Sequence, residues 1–477
     1  MLQRLSSKIF LSRSHSLLFD LNLNKDRYKQ NTTRVPMFRF IFSFIIILII
    51  ALPGHANETS LKSSLESTYK NNFYIAQQRE KILKFNENLV QQKSLIKPSL
   101  SATLSQNLDD NNANSANLTI SQLLYDGGKS FNLIDAAKYS ILAQRELLIK
   151  AEQDNLLKAI TIFMDLRQAQ ANLDLAKSNI KVIKEQLRAA KNRFEVGEVT
   201  RTDVSQTEAR LALAVSNVEQ RKAILSGKSA SYLLIVGENH GDLATPPEHP
   251  NIPIIFSRAE EIALENHPRI LSAKLQLKVA ELKVSASRRI GGPTITGSIS
   301  SKTGSTITSS TGATIQATIP LYKGGDLRSK RRAAINDKNI SKYALDNALL
   351  TTKSNLQLYH SSWLAAVAAI KASEAQIEAS KIAFEGIREE SNLGSRTTLD
   401  VLDAEQELLS ARSNLVSALR DEQVQAYNVL SEMGQLTPSN LNLEIQRHNS
   451  TIDYDKILNA SPLGKARIKI LEKLQNR

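Results

Sequence analysis

From Ser99 the chain alternates strictly. Leu100, Ala102, Leu104, Gln106 and Leu108 take the even positions, and the odd positions Ser99, Ser101, Thr103, Ser105 and Asn107 are all polar. A period of two is the mark of a strand with one apolar and one polar face. A returning run puts Leu118, Ile120 and Leu124 on one face. About two hundred residues later the pattern recurs, with Ile295, Gly297 and Ile299 on one strand face and Ala313, Ile315, Ala317 and Ile319 on the next. The polar stretches 109–117 and 302–311 are the expected connecting loops.

After each pair of strands the period changes. Leu166, Leu173, Ile180, Leu187 and Phe194 lie seven apart, with Ala169, Ala176, Ile183 and Ala190 as a companion row. Trp363, Ile370, Ile377 and Phe384 repeat the row, and Val204, Leu211, Val218, Leu225 and Tyr232 form another. Heptads predict helix-on-helix packing with supercoiling, and the alanines allow close approach. From Gly128 to about Phe194 nothing breaks the pattern, so a helix of roughly 100 Å is expected at ~1.5 Å per residue. A shorter helix precedes each hairpin, at about 58–96 and 257–289.

The two blocks are a tandem duplication. A shift of 197 residues superposes "SQLLYDGGKS" on "TIPLYKGGDL", aligning Tyr125 with Tyr322, Gly127 with Gly324 and Gly128 with Gly325. The same shift aligns Gly197 with Gly394, Thr200 with Thr397, Asp203 with Asp400 and Gly237 with Gly434. The glycine pairs permit the backbone to pass from strand to helix. Gly197 and Gly394 fit the end of each long helix, with Thr or Asp capping the next. The first repeat is placed at 57–244, a Pro-rich linker at 245–256, the second repeat at 257–435 and a C-terminal tail at 436–477.

Composition narrows the function. The chain has no cysteine, which removes disulfides, thiolate metal sites and a lipid-modified N-terminal cysteine. The formal charge is +14, but residues 1–56 hold eight Lys/Arg against two Asp. The rest is interspersed with acid, so no nucleic-acid partner is expected. The segment 37–56, "MFRFIFSFIIILIIALPGHA", has Arg39, an apolar run and a small-x-small site ending at Ala56. It reads as a signal peptide cleaved after Ala56. Residues 1–36 read as an upstream extension before Met37. His240, just before the linker, and His249, within it, lack metal-ligand spacing, and no Gly-rich phosphate loop follows a strand. No enzyme activity, metal or cofactor is expected.

Four strands cannot close a barrel, and apolar-out strands that span lipid need closure. Either the strands form a small soluble sheet or several copies share one barrel. The export signal, the alternation and the Gly-Gly junctions favour the second. On these features, and above all on "GSRTTLDVLDAEQELLSARSNL" (394–415) and its partner "GEVTRTDVSQTEARLALAVSNV" (197–218), the chain resembles the TolC family of outer-membrane efflux and secretion channels.

That resemblance implies a mainly helical fold with a β-barrel part. A homotrimer would share a twelve-stranded barrel in outer-membrane lipid and continue as a helical tunnel across the periplasm. A periplasmic adaptor (membrane fusion) protein and an inner-membrane pump or ABC transporter would be the partners. It also implies that Asp400 and Asp403 form carboxylate rings at the aperture and that Arg396 links to Thr202 and Asp203 on the neighbouring hairpin. Gly197, Thr200, Gly394 and Thr397 would form the periplasmic tips, and Tyr125, Gly127, Gly128, Tyr322, Gly324 and Gly325 the barrel–helix junctions. The family's aromatic latch position falls on Ser391. The competing reading is an exported coiled-coil adaptor or scaffold with soluble β modules.

Overall fold

The computed structural model describes residues 58–106, 114–305 and 307–445. The expected signal peptide, the upstream extension and most of the C-terminal tail lie outside them. Four strands, β1 (Ser99–Gln106), β2 (Asn114–Tyr125), β3 (Thr294–Gly304) and β4 (Ile307–Thr318), pair antiparallel in the order β1-β2-β3-β4. The ladder opposes Leu100 to Ile120, Ile120 to Ile299 and Gly297 to Ile315. Leu104, Ile120, Ile299 and Ile315 therefore share one face. Thr119 opposes Ser300, and Thr103, Thr119, Ser300 and Thr314 share the other. The apolar face is uncovered within the chain: Leu104 is 81% and Ile315 76% exposed. The expected loops are shorter than the polar composition indicated. Residues 114–117 belong to β2, and 302–304 and 307–311 belong to β3 and β4. Ser and Thr rows on the ladder bond across strands, as Ser105 Oγ does with Ser115 Oγ at 2.8 Å, so polarity there marks a wet face and not a turn.

Each sheet half feeds helices. α1 (Leu61–Asn71) and α2 (Phe73–Ser94) precede β1, and α3 (Lys129–Glu195) and α4 (Arg201–Val236) follow β2. In the second half α5 (Phe256–Asn266) and α6 (Pro268–Arg288) precede β3, and α7 (Asp326–Asn392) and α8 (Thr398–Glu432) follow β4. The single helices expected at 58–96 and 257–289 are thus each broken. Asn72 leaves helical geometry and its Oδ1 accepts from the Tyr74 and Ile75 amides, capping α2. At the second break Pro268 opens α6, where its missing N–H costs nothing, and His267 Nδ1 accepts from the Arg269 amide.

α3 and α7 are 67 residues each, so about 100 Å long. On α3 the companion row Ala169, Ala176, Ile183 and Ala190 is buried, and on α7 Ala366, Ser373 and Ser380 occupy the same seam. Small side chains at this spacing let α3 lie against α4 and α7 against α8.

The largest apolar cluster is a waist midway along the hairpins. Leu156, Ile160, Phe163 and Leu166 of α3 meet Leu61 and Leu65 of α1, Tyr232 of α4 and Tyr427 and Leu430 of α8. Tyr232 is buried with its hydroxyl 2.7 Å from Ser64 Oγ. Each repeat closes on itself here. A Cβ at Gly237 would lie 3.0 Å from Asn71 Cβ, and one at Gly434 only 2.5 Å from the Asn266 carbonyl. Gly434 also has φ +72°, where side chains are strained. Gly434→Ala should therefore cost on the order of 2 kcal/mol or more. Gly227→Ala, in open space on α4, should be neutral or stabilising by ~0.5–1 kcal/mol. Thermal unfolding of the two purified variants beside the parent protein measures both.

Candidate functional site: the helical tips

The two hairpins end side by side. At each tip a left-handed glycine stops the long helix: Gly197 has φ +80° and Gly394 +79°. The Glu198 amide donates to the Arg193 carbonyl at 2.9 Å, and the Ser395 amide to the Glu390 carbonyl at 3.0 Å. Neither glycine has an atom within 4 Å of a built Cβ, so backbone geometry and not crowding explains them. A reciprocal cap starts the next helix. Asp203 Oδ2 accepts from the Thr200 amide and hydroxyl while Thr200 Oγ1 accepts from the Asp203 amide. Thr397 and Asp400 repeat the arrangement. These bonds from Thr397, with Arg396 nearby, hold the Asp400 carboxyl below its usual range.

A cleft of about 510 Å³ separates the turns, lined by Arg193, Thr200, Asp203, Asn392, Arg396 and Thr397 among others. Thr202 is exposed and lies outside that lining. Within one chain Arg396 does not reach Thr202 or Asp203. Its Nε donates to Glu390 Oε2 at 2.9 Å in its own turn, while Asp203 is occupied by its cap. Asp403 pairs with Arg210 of α4 at 2.8 Å. Ser391 is buried, and its carbonyl accepts from Arg193 Nη1 at 3.4 Å while Arg193 Nη2 donates to Asn392 Oδ1 at 3.0 Å.

Arg193 and Arg210 were missed in the sequence, although a signal existed. At the 197-residue shift they oppose Glu390 and Glu407, so the repeats exchange a cation for an anion where the hairpins meet.

Further links continue up this seam. Asn172 Oδ1 accepts from Ser413 Oγ at 3.0 Å, Gln168 Nε2 donates to Ser417 Oγ at 3.0 Å, and Asp165 accepts from both Arg420 and Lys228 at 2.6 and 2.8 Å. Between the waist and the tips the contact between hairpins is thus a polar ladder, with an apolar rung of Ile183, Ala214 and Leu402 near the tip.

Glu405 departs from its repeat partner. Glu208 is exposed and pairs with Lys191 at 2.8 Å. Glu405 is 7% exposed and its Oε2 has no hydrogen-bond partner. The arginine at the matching position, Arg388, lies over the Phe384 ring instead. Burial pushes the Glu405 carboxyl up to about 7 from 4.5.

At the other end of the hairpins, Tyr125 and the left-handed Gly127 and Gly128 join β2 to α3. The Asp126 carboxylate caps that helix by accepting from the Gly128 and Ser130 amides. Gly324 and Gly325 are also left-handed, and Tyr322 before them is exposed.

Amphipathic strands continued by paired helices of this length define a class, the subunits of outer-membrane channels. The structure matches the Campylobacter jejuni CmeC outer membrane channel with a TM-score of 0.71 over 92% of this chain and 97% of that one, at 15% identity. The chain belongs to the outer membrane efflux protein family, whose profile matches residues 65–226 and 261–434. The outer membrane efflux protein BepC of Brucella suis is 29% identical over 83% of this chain and 90% of its own length. The alkaline protease secretion protein AprF of Pseudomonas aeruginosa is 26% identical over 64% and 66%. The chain is an outer-membrane efflux and secretion protein.

The buried Glu405 makes the tip sensitive to pH. Its folded pKa is raised, so its contribution to stability is full below about pH 4.5 and is lost as pH rises through about 7. Glu405→Gln should remove that dependence and exceed the parent by on the order of 2 kcal/mol at alkaline pH. Denaturant unfolding on both sides of neutrality tests this.

Proposed function

We propose that three copies assemble into a passive exit duct. Their twelve strands would form one barrel in the outer membrane, and their hairpins one tunnel beneath it. A periplasmic adaptor would dock at the tips, and an inner-membrane pump or ABC transporter would load the tunnel. One observation carries this reading. The sheet has two unpaired edges, β1 and β4, and a continuous exposed apolar face. Such a sheet is satisfied in lipid only when its edges close. No helix among the described residues is long and apolar enough to cross a membrane.

The helices support assembly with further copies. α7 packs on α6 and α8 but leaves Ile340, Tyr343, Leu350, Leu358 and Ile382 exposed. α4 leaves Leu213, Ile224 and Leu234 exposed, and α2 leaves Phe73 and Tyr74. Apolar rows of this extent are the surfaces a neighbouring copy would cover. Six carboxylates, from Asp400 and Asp403 of three chains, would then ring the aperture, with Arg193 and Arg210 bracing the hairpins that carry them.

Two measurements test the duct. Arg on the lipid face at Leu104 should cost ~2–4 kcal/mol and reduce outer-membrane trimers, while Arg at Thr103 should be tolerated. The reverse outcome would overturn the facing assignment. Single-channel recording of the purified protein in planar bilayers should show a cation-selective pore blocked by multivalent cations. The Asp400→Ala/Asp403→Ala variant should lose selectivity and block together. Absence of conductance from detergent-stable trimers would instead favour an exported scaffold.

A further inference from the structure

The heptad row of α8 contains a charge where the repeat has an apolar residue. Glu422 stands at the position of Leu225 in α4, and it is buried among the waist residues. A lone buried carboxylate is costly, so it must be answered. Trp363 Nε1 donates to Glu422 Oε1 at 3.1 Å, and Gln423 Nε2 donates to Oε2 at 3.1 Å. The cation comes from outside both hairpins. His249 of the inter-repeat linker places Nε2 2.9 Å from Glu422 Oε1.

The other ring nitrogen decides the charge state. His249 Nδ1 lies 2.9 Å from the Pro250 carbonyl, which can only accept. Both ring nitrogens therefore face acceptors, and both bonds are made only by the imidazolium. From Thr245 to Asn251, His249 is the one described residue that hydrogen-bonds to a helix. The next anchors are the bridge between Thr59 and Leu243 on one side and the buried Ile252 on the other, followed by the Pro253 carbonyl bonded to His360 Nε2.

We propose that His249 is a protonation-controlled clasp that straps the inter-repeat linker onto the second helical hairpin. The titratable groups facing it are Glu248 on the linker and Glu422 on α8, with Tyr427 one turn beyond and His360 on α7 across the Trp363 ring. The hydrogen bond to Glu422 raises the His249 pKa above 6.5 against the opposing effect of burial. Burial raises Glu422, but the bonds from His249 and Trp363 outweigh it and hold the carboxyl below 4.5. For His249 the sign is that of a raised base. The clasp is fully formed below pH 6.5 and is lost as pH rises through the higher folded value. At the acid end it is lost only as pH falls through the depressed value of Glu422. Each unit by which folding raises the His249 pKa makes opening about tenfold easier for the neutral ring than for the imidazolium.

The reporter is built in. Trp363 is the single tryptophan of the chain, with its ring edge-on to His249 at 6.0 Å. Its fluorescence in the purified full-length protein should titrate with a midpoint above pH 6.5. Hydrogen exchange of residues 245–251, taken relative to the intrinsic base-catalysed rate at each pH, should accelerate through the same midpoint. His249→Gln should abolish both transitions, and Glu422→Leu, which restores the residue of the other repeat, should do so without loss of the fold. His360→Gln should leave the midpoint in place. A midpoint at or below 6.5, a transition that survives His249→Gln, one that disappears in His360→Gln, or exchange that follows its intrinsic rate across the fluorescence midpoint would overturn the clasp.

Discussion

A helix of 67 residues cannot be covered by a globule. Its only way to bury a face is to find a neighbour along its whole length, and this requirement organises the chain. α3 lies on α4 and α7 on α8 through a narrow stripe rich in small side chains such as Ala169, Ala176, Ala366 and Ser373. The stripe is narrow, so each hairpin retains exposed apolar rows on its flanks, and below the waist the hairpins meet each other mostly through polar groups. The waist, where the broken N-terminal helices and the segment after α8 join the bundle, supplies the thickest core among the described residues. Stability is therefore concentrated midway, with long arms to the sheet and the tips.

The duplication explains the architecture and its breaches explain the specialisation. Two repeats of one pattern give two long helices of equal length, matching glycine stops and matching capping boxes. Where the repeats differ, the chemistry changes. Arg193 faces Glu390 across the shift and clasps the second turn. Leu225 becomes Glu422 and receives a histidine from the linker. Glu208 keeps its lysine while Glu405 is enclosed without one. Each breach lies at a hairpin seam or on the linker, where the halves of the chain have different neighbours.

The periodic parts of this fold were legible in the sequence, because period two and period seven each dictate a packing face. The strand faces, the two long helices and the glycine turns follow from Leu104, Ala169 and Gly197 and their relatives. The breaks at Asn72 and His267 were not legible, since a capping side chain within an apolar pattern reads like any polar helix position. Pairings were also hidden. Asp203 and Asp400 carry the same motif whether they face a pore or cap a helix, and only the three-dimensional turn shows the Oδ2 of each engaged by the amide and hydroxyl of its threonine. Arg396 could equally reach a neighbour or turn back, and six residues of local chain bring Glu390 within reach first.

The ladder of polar rungs between the hairpins has a thermodynamic consequence. Parting Asn172 from Ser413, or Asp165 from Arg420, hands each group to water and uncovers little hydrocarbon. Exposed apolar area dominates the heat-capacity change of a conformational transition. Separation of the hairpins between the waist and the tips should thus carry little, unlike melting of the waist. Its enthalpy would stay nearly constant, so the balance between parted and joined hairpins would vary smoothly from cold to warm surroundings while the core beside it follows a curved stability profile.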